Sequence, residues 1–274
     1  MRVDKTIAAV VLIISVSVML FSGIMLAHAD SVHREAETAY AELASQIKKM
    51  PASPAKLGFL RPTDKGGEEQ SGDTNSPQEE KPAVYVPDQG IDFAALKTIN
   101  SDAVAWLYSP GTLIDYPVMK ADDYNRYLHY LPNGTANANG SLFIDYNNAP
   151  DFSGRLTVIY GHNMKSKKMF GSLPGYKDQA YYDDHPYMYL YTEHGNYRID
   201  LLYGFVIGAG QWRSRAFMYD LNTDELLAYA AHRTTFQSGA EYKDGDRIVA
   251  LSTCSYEFDD ARYVVIGILR VASE

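Results

Sequence analysis

The sequence predicts a mainly β domain, closed or nearly closed, carried behind an N-terminal helical segment. Three observations carry this expectation. Beyond about residue 100, short runs of β-branched and aromatic residues alternate with Gly, Asn, Asp and Pro at turn spacing. Residues 247–254 and 262–270 form two β-branched apolar runs separated by a seven-residue polar loop. The first 87 residues show no strand pattern: an apolar run gives way to a helix-forming stretch and then to a polar one. A chain of 274 residues has room for one large domain with a sizeable core.

The elements follow in order. Residues 7–26 carry no charge, and as a helix they measure about 30 Å, the hydrocarbon thickness of a bilayer. Arg2 and Lys5 precede the run while Asp30, Glu35 and Glu37 follow it, so the charge bias places the N-terminus in the cytoplasm and the remainder outside. Ala27-His28-Ala29 imitates a signal-peptide cleavage site, but the run exceeds the usual apolar core of about 7 to 15 residues, which favours an uncleaved anchor. Residues 1–29 are read as cytoplasmic N-terminus and transmembrane anchor. Residues 30–50, rich in Ala, Glu and Lys and free of internal Pro and Gly, are read as a juxtamembrane helix that Pro51 ends. Residues 51–87 hold Pro, Gly, Ser, Glu and Lys with few large apolar side chains, a composition for a flexible linker. Such a coil spans about 30 to 37 Å on average.

The folded domain is placed at residues 88–274. Phe93, Leu96 and Lys97 recur at helical spacing and predict a helix over 92–99. Strands are expected near 106–108, 116–119, 141–144, 156–160, 188–192 and 197–207, mainly in antiparallel pairing. A second helix is predicted over 223–233, with Asp220 or Asn222 as its cap and Leu226, Leu227 and Ala230 on one face. It precedes the two C-terminal strands.

Charge and cysteine content exclude several functions. The formal net charge of −9 argues against nucleic acid as a partner, because such binding rests on basic side chains neutralising phosphates. Cys254 is the only cysteine, so no intramolecular disulfide and no cysteine-rich zinc site can form, and the thiol is either inert or chemical. A symmetric hairpin about the polar loop sets Cys254 opposite Arg262, Ser252 opposite Val264 and Ala250 opposite Ile266. A fixed cation beside a sulfur favours thiolate over thiol, and a guanidinium can also donate to an oxyanion.

A thiolate needs a proton-transfer partner. His28 and His33 flank the apolar run, His129 and His194 occupy ordinary loop or strand-end positions, and His232 lies in the expected helix. His185, in Asp183-Asp184-His185-Pro186, superficially imitates a metal ligand but reads better as a turn. His162 differs in following a strand and Gly161, where a turn could present its imidazole at a sheet rim. On its own this reading is no better than a structural turn histidine.

Tyr160-Gly161-His162-Asn163-Met164 is followed by Met169-Phe170-Gly171-Ser172-Leu173. Together with Leu251-Ser252-Thr253-Cys254-Ser255-Tyr256-Glu257-Phe258 and Arg262, these motifs resemble those of class B sortases. Trp106-Leu107, Gly111-Thr112-Leu113-Ile114-Asp115-Tyr116-Pro117-Val118, Tyr127-Leu128 and Gly140-Ser141-Leu142-Phe143-Ile144-Asp145 extend the resemblance from about Asp92 to the C-terminus. Two departures stand out. Ala250 occupies the first place of the family's Thr-Leu-x-Thr-Cys motif, and Tyr124 stands where Asp-Asn-x-x-Tyr-Leu has its asparagine, so a substrate-pocket contact is expected to differ.

The resemblance implies an eight-stranded sortase-type barrel with N-terminal helices and a helix before the cysteine strand. It implies a membrane-anchored cysteine transpeptidase of the Gram-positive surface that needs no cofactor and no metal. Cys254 would attack a sorting signal of the Asn-Pro-x-Thr type after Thr, His162 would transfer protons, and Arg262 would orient the peptide and the oxyanion. Leu128 and Ser252 would touch the sorting peptide, with packing an equal alternative for both. The expected partners are surface proteins bearing the signal and an amine of a peptidoglycan precursor or of a pilin, so anchoring and pilus polymerisation both stay open. A papain-like protease is disfavoured by chain order, since His162 precedes Cys254. A non-enzymatic adhesin or haem-binding module is suggested by the 22 tyrosines, several within 181–197, although such tyrosines commonly pair across strands.

Overall fold

The computed structural model describes residues 5–49, 84–214 and 223–273. Most of the expected linker, and the Asp220 and Asn222 expected as caps, lie outside these described residues. Helix α1 (Lys5–Ile47) runs through the apolar segment and the expected juxtamembrane segment without a break, since no proline falls within it. Among the described residues it is the one helix long and apolar enough to cross a membrane. Its apolar N-terminal turns are exposed, whereas Ala36, Leu43 and Ile47 are buried against the rest of the protein. An antiparallel bridge between Lys48 and Ile91 joins the end of α1 to the start of the domain. There Asp92 caps helix α2 (Phe93–Ile99) by accepting from the Ala95 amide at 3.0 Å.

Eight strands close into a barrel: β1 (Ala103–Tyr108), β2 (Asp115–Lys120), β3 (Leu142–Ile144), β4 (Leu156–Tyr160), β5 (Tyr187–Thr192), β6 (Gly195–Gly208), β7 (Ile248–Cys254) and β8 (Ala261–Val271). Their spatial order is β1-β2-β3-β4-β7-β8-β6-β5, with β5 returning to β1. Six neighbour pairs are antiparallel as the sequence predicts, but β2–β3 and β4–β7 are parallel. The second parallel pair sets the strand preceding His162 directly beside the strand ending in Cys254.

Alternation along the strands sorts side chains between lumen and exterior. Val249 and Leu251 of β7, Val265 of β8 and Ile159 of β4 fill the lumen with Leu107, Val118, Leu142, Leu190 and Leu201. Ile248 and Ala250, with Val158, Val264 and Ile266, face outward. Two helical layers cover that outer face. Helix α6 (Thr223–Ala231) lays Leu226, Leu227 and Ala230 on one part of it, the face that the helical spacing predicts. Leu43, Ile47 and Leu96 of α1 and α2 cover another part, against Trp106, Met119 and Phe143. The architecture expected from the sequence, a closed eight-stranded barrel with N-terminal helices and a helix before the cysteine strand, is met.

Several short elements also occur among the described residues: α3 (Arg126–His129), a 3₁₀ turn (Leu173–Lys177), α4 (Gln179–Asp184) and α5 (Ala209–Trp212). His185 terminates α4 and packs on the Tyr181 ring with centroids 4.5 Å apart. Most tyrosines of 181–197 are taken up by packing: Tyr182 stacks on Phe236, Tyr189 on Tyr108, and Tyr191 and Tyr197 are buried, while Tyr187 is exposed.

Candidate active site

Cys254 closes β7 and is half-buried. The β7–β8 ladder pairs it with Arg262, and pairs Ser252 with Val264 and Ala250 with Ile266, the register that a symmetric hairpin predicts. On the other side of β7, the parallel ladder with β4 ends at Tyr160 opposite Ser252. Two residues further on stand Cys254, at the end of β7, and His162, just past the end of β4. Residues 162, 254 and 262 therefore lie on three adjacent strands or their direct continuation. Parity puts Cys254 and Arg262 on the outward face, since Ala250 and Val264 point outward and each is an even number of positions away, while His162 follows the end of β4 by two residues.

Beyond Tyr160 the ladder gives way to specific contacts that keep the chain of His162 on the cysteine strand. The Gly161 amide donates to Ser252 O at 3.2 Å, and the buried Thr253 hydroxyl donates to Gly161 O at 2.7 Å. Asn163 Nδ2 donates to the Cys254 carbonyl at 2.8 Å. Gly161 is required by space: a Cβ would come within 2.4 Å of Leu142 Cδ2 and 2.7 Å of the Phe170 ring. The Phe170 amide in turn donates to His162 O at 3.0 Å.

The imidazole has an orienting partner without a sequence signature. His162 Nε2 lies 2.9 Å from the carbonyl oxygen of Leu128. A carbonyl only accepts, so Nε2 carries the proton and Nδ1 is left for proton exchange. The family resemblance points to Leu128 for contact with a peptide; here its main chain holds the histidine while its side chain packs beside the outer cluster of α1 and α2.

Arg262 is half-buried and donates from Nη1 to the carbonyl of Ala261 at 2.9 Å. Among the described residues no carboxylate lies within ion-pairing distance of it, which leaves guanidinium donors for an incoming group. Ser252 is buried, and its hydroxyl has no protein partner. It shares the outward parity of Cys254. The loop after the cysteine is held by Lys177, from the 3₁₀ turn, which pairs with Glu257, while Ser255 Oγ donates to the same carboxylate. Burial opposes ionisation of Glu257, but Lys177 and the Ser255 hydroxyl outweigh it and hold the carboxyl below its ordinary range. In the same loop Tyr256 projects outward, 80% exposed.

Tyr124, the residue that departs from the family pattern, donates its phenol to Asp145 Oδ2 at 2.8 Å, and Tyr160 reaches the same oxygen at 3.0 Å. The ring of Tyr124 packs edge-on to Tyr160 and Tyr146. Burial and the Asp145 charge push the Tyr160 phenol far above its usual range, so it stays a neutral donor. This cluster anchors the end of β4 immediately before Gly161.

No family model matches the chain. Sortase B of Listeria monocytogenes is 30% identical over 175 residues, covering 63% of this chain and 71% of that protein. Two solved structures are also similar, a Staphylococcus aureus sortase B–substrate complex and a sortase B complexed with triglycine, each at 26% identity over 66% of this chain. The substrate complex aligns over 85% of its chain with a TM-score of 0.61, and the complex with triglycine over 86% with a TM-score of 0.60.

Proposed function

This chain belongs to the class B sortases, a family of cysteine transpeptidases, and from that premise we propose that Cys254, His162 and Arg262 exchange one amide bond for another. The Cys254 thiolate attacks the carbonyl carbon after Thr in a sorting signal of the Asn-Pro-x-Thr type. The C–N bond breaks, and the departing amine takes its proton from the His162 imidazolium, leaving a thioester on Cys254. An amine of cell-wall peptidoglycan or its precursor then attacks the thioester and gives a proton to His162 as the thiolate leaves. The Arg262 guanidinium stabilises the oxyanion of both tetrahedral intermediates.

What supports this reading is strand register, which sets residues 162, 254 and 262 side by side at the ends of β4, β7 and β8. The buried, protein-unpartnered hydroxyl of Ser252, on the same face as Cys254, supports its contact with the signal peptide, and Leu128 borders the imidazole. The sortase B complexes with substrate, from S. aureus, and with triglycine support a signal-bearing donor and an amine acceptor. The exposed apolar turns of α1 support a single membrane span, with the barrel on the outer side by the charge bias.

The test is intact-mass analysis of the full chain in detergent micelles after incubation with Asn-Pro-x-Thr peptides, with and without an added amine. An acyl adduct on Cys254 that the amine discharges into a transpeptidation product is expected. Cys254→Ala and His162→Ala should give neither adduct nor product. Turnover by either variant at the wild-type rate would defeat the assignment, and trials of peptidoglycan amines against pilin lysines separate anchoring from polymerisation.

A further inference from the structure

The juxtamembrane part of α1 grips both segments that hold His162. On one side, Tyr40 Oη donates to the Gly140 carbonyl at 2.7 Å and lies 3.3 Å from Ser141 Oγ. About two turns earlier, His33 Nδ1 hydrogen-bonds Asn139 Oδ1 at 2.8 Å, and Asn137 Nδ2 donates to Val32 O at 2.9 Å. Asn137, Asn139 and Ser141 are all buried. This 137–141 segment lies directly on the peptide whose carbonyl orients the imidazole. The Ser141 amide donates to Tyr127 O at 2.8 Å. Gly140 has φ +56°, and a Cβ there would stand 2.5 Å from Tyr127 O and 2.8 Å from Leu128 O. On the other side, Glu37 pairs with Lys168, and Ala36, Glu37 and Tyr40 line a small cavity of about 120 Å³ with Met164 and Met169. Those residues belong to the segment that returns through Phe170 to bond His162 O.

We propose that Tyr40 is a positioning residue for acyl transfer. Through Gly140 it sets the place of the Leu128 carbonyl, and through that carbonyl the tautomer and orientation of the His162 imidazole. The reaction then depends on a stretch of helix that touches neither thiol nor peptide. This inference rests on His162 being the proton-transfer group proposed above. It adds that the competence of His162 is conferred in part by the helix leading from the membrane span.

The experiment uses the full chain in detergent micelles, comparing wild type, Tyr40→Phe, Gly140→Ala and His162→Ala. Tyr40→Phe keeps the ring packed against Tyr116, with centroids 5.0 Å apart, and removes only the donor. The expected result is a fall in kcat of roughly tenfold with KM for the sorting peptide unchanged, as for a displaced catalytic group. The imidazole ¹⁵N signals of selectively labelled His162 should report a loss of the single Nε2–H tautomer. Gly140→Ala, which presses on the carbonyl directly, should act in the same sense. A Tyr40→Phe enzyme that melts earlier but keeps wild-type kcat and an unchanged ¹⁵N pattern would overturn the inference while His162→Ala stays inactive. If His162→Ala turns over normally, the functional reading fails and this one with it.

Discussion

Thr253 supplies a link that strand pairing no longer provides, since its hydroxyl holds Gly161 O after the β4–β7 ladder has ended. Replacing it by the near-isosteric valine removes the donor and leaves a buried carbonyl unsatisfied, at a cost of about 1–3 kcal/mol. Thr253→Val should therefore lower the stability measured by urea unfolding by that amount without changing the slope, and should slow acyl-enzyme formation because His162 follows Gly161. Unchanged single-turnover kinetics would show that the link serves stability alone. At this scale the sequence is partly legible. Hairpin arithmetic sets Arg262 beside Cys254, because register along paired strands follows from counting residues across a loop. The proximity of His162 cannot be counted, since it depends on a parallel pairing between strands far apart in the chain. Its orienting group is invisible because every residue carries a backbone carbonyl, and only the fold selects that of Leu128.

Among the elements, the cysteine loop between β7 and β8 is pinned at its tip to the 3₁₀ turn through Glu257 and Lys177. The Glu257 carboxyl is held below its ordinary range in the folded state. Its contribution to loop order is thus fully present above the unfolded carboxylate range and is lost as pH falls through the depressed folded value. Amide hydrogen exchange across residues 255–261, corrected for intrinsic rates, should accelerate on acidification below that range, and Glu257→Gln should be fast already at neutral pH. Exchange in that variant no faster than in wild type would remove the clamp. The strands themselves are legible because β-branched runs and turn residues alternate clearly. The short helices α3, α4 and α5 are not, since four to six residues hold too little periodicity and tertiary contact decides their conformation. Parallel pairings escape for a related reason: alternation tells which face a side chain takes but not the direction of the neighbouring strand.

At the scale of the whole molecule, α1 is bound to the barrel along its last turns. Lys49 and Val84, the residues on either side of the stretch 50–83, are both hydrogen-bonded to the domain, Lys49 N to Gly90 O at 3.0 Å and Val84 N to Ser273 Oγ at 2.7 Å. The composition of 51–87 indicates a spacer, but no local property of a sequence reveals that the helix before such a stretch packs on the domain after it. Ile47 is fully buried between helix and barrel. Ile47→Ala should cost about 2–5 kcal/mol of the docked state, seen as faster proteolysis after Lys48 or Lys49 and an earlier thermal transition. Equal proteolysis of variant and wild type would mean that the docked helix does not restrain that backbone.

Because α1 continues from its exposed apolar turns into its docked ones without a hinge, it works as a spindle. With those apolar turns seated in a bilayer, one extra residue near position 29 would swing the cleft around the spindle by about 100° and lift it about 1.5 Å. Four extra residues would make a full turn and about 40° more, at a height about 6 Å greater. Rotation about the bilayer normal is free, so what the number of residues in that short collar would fix is the height at which the helix carries the barrel above the surface.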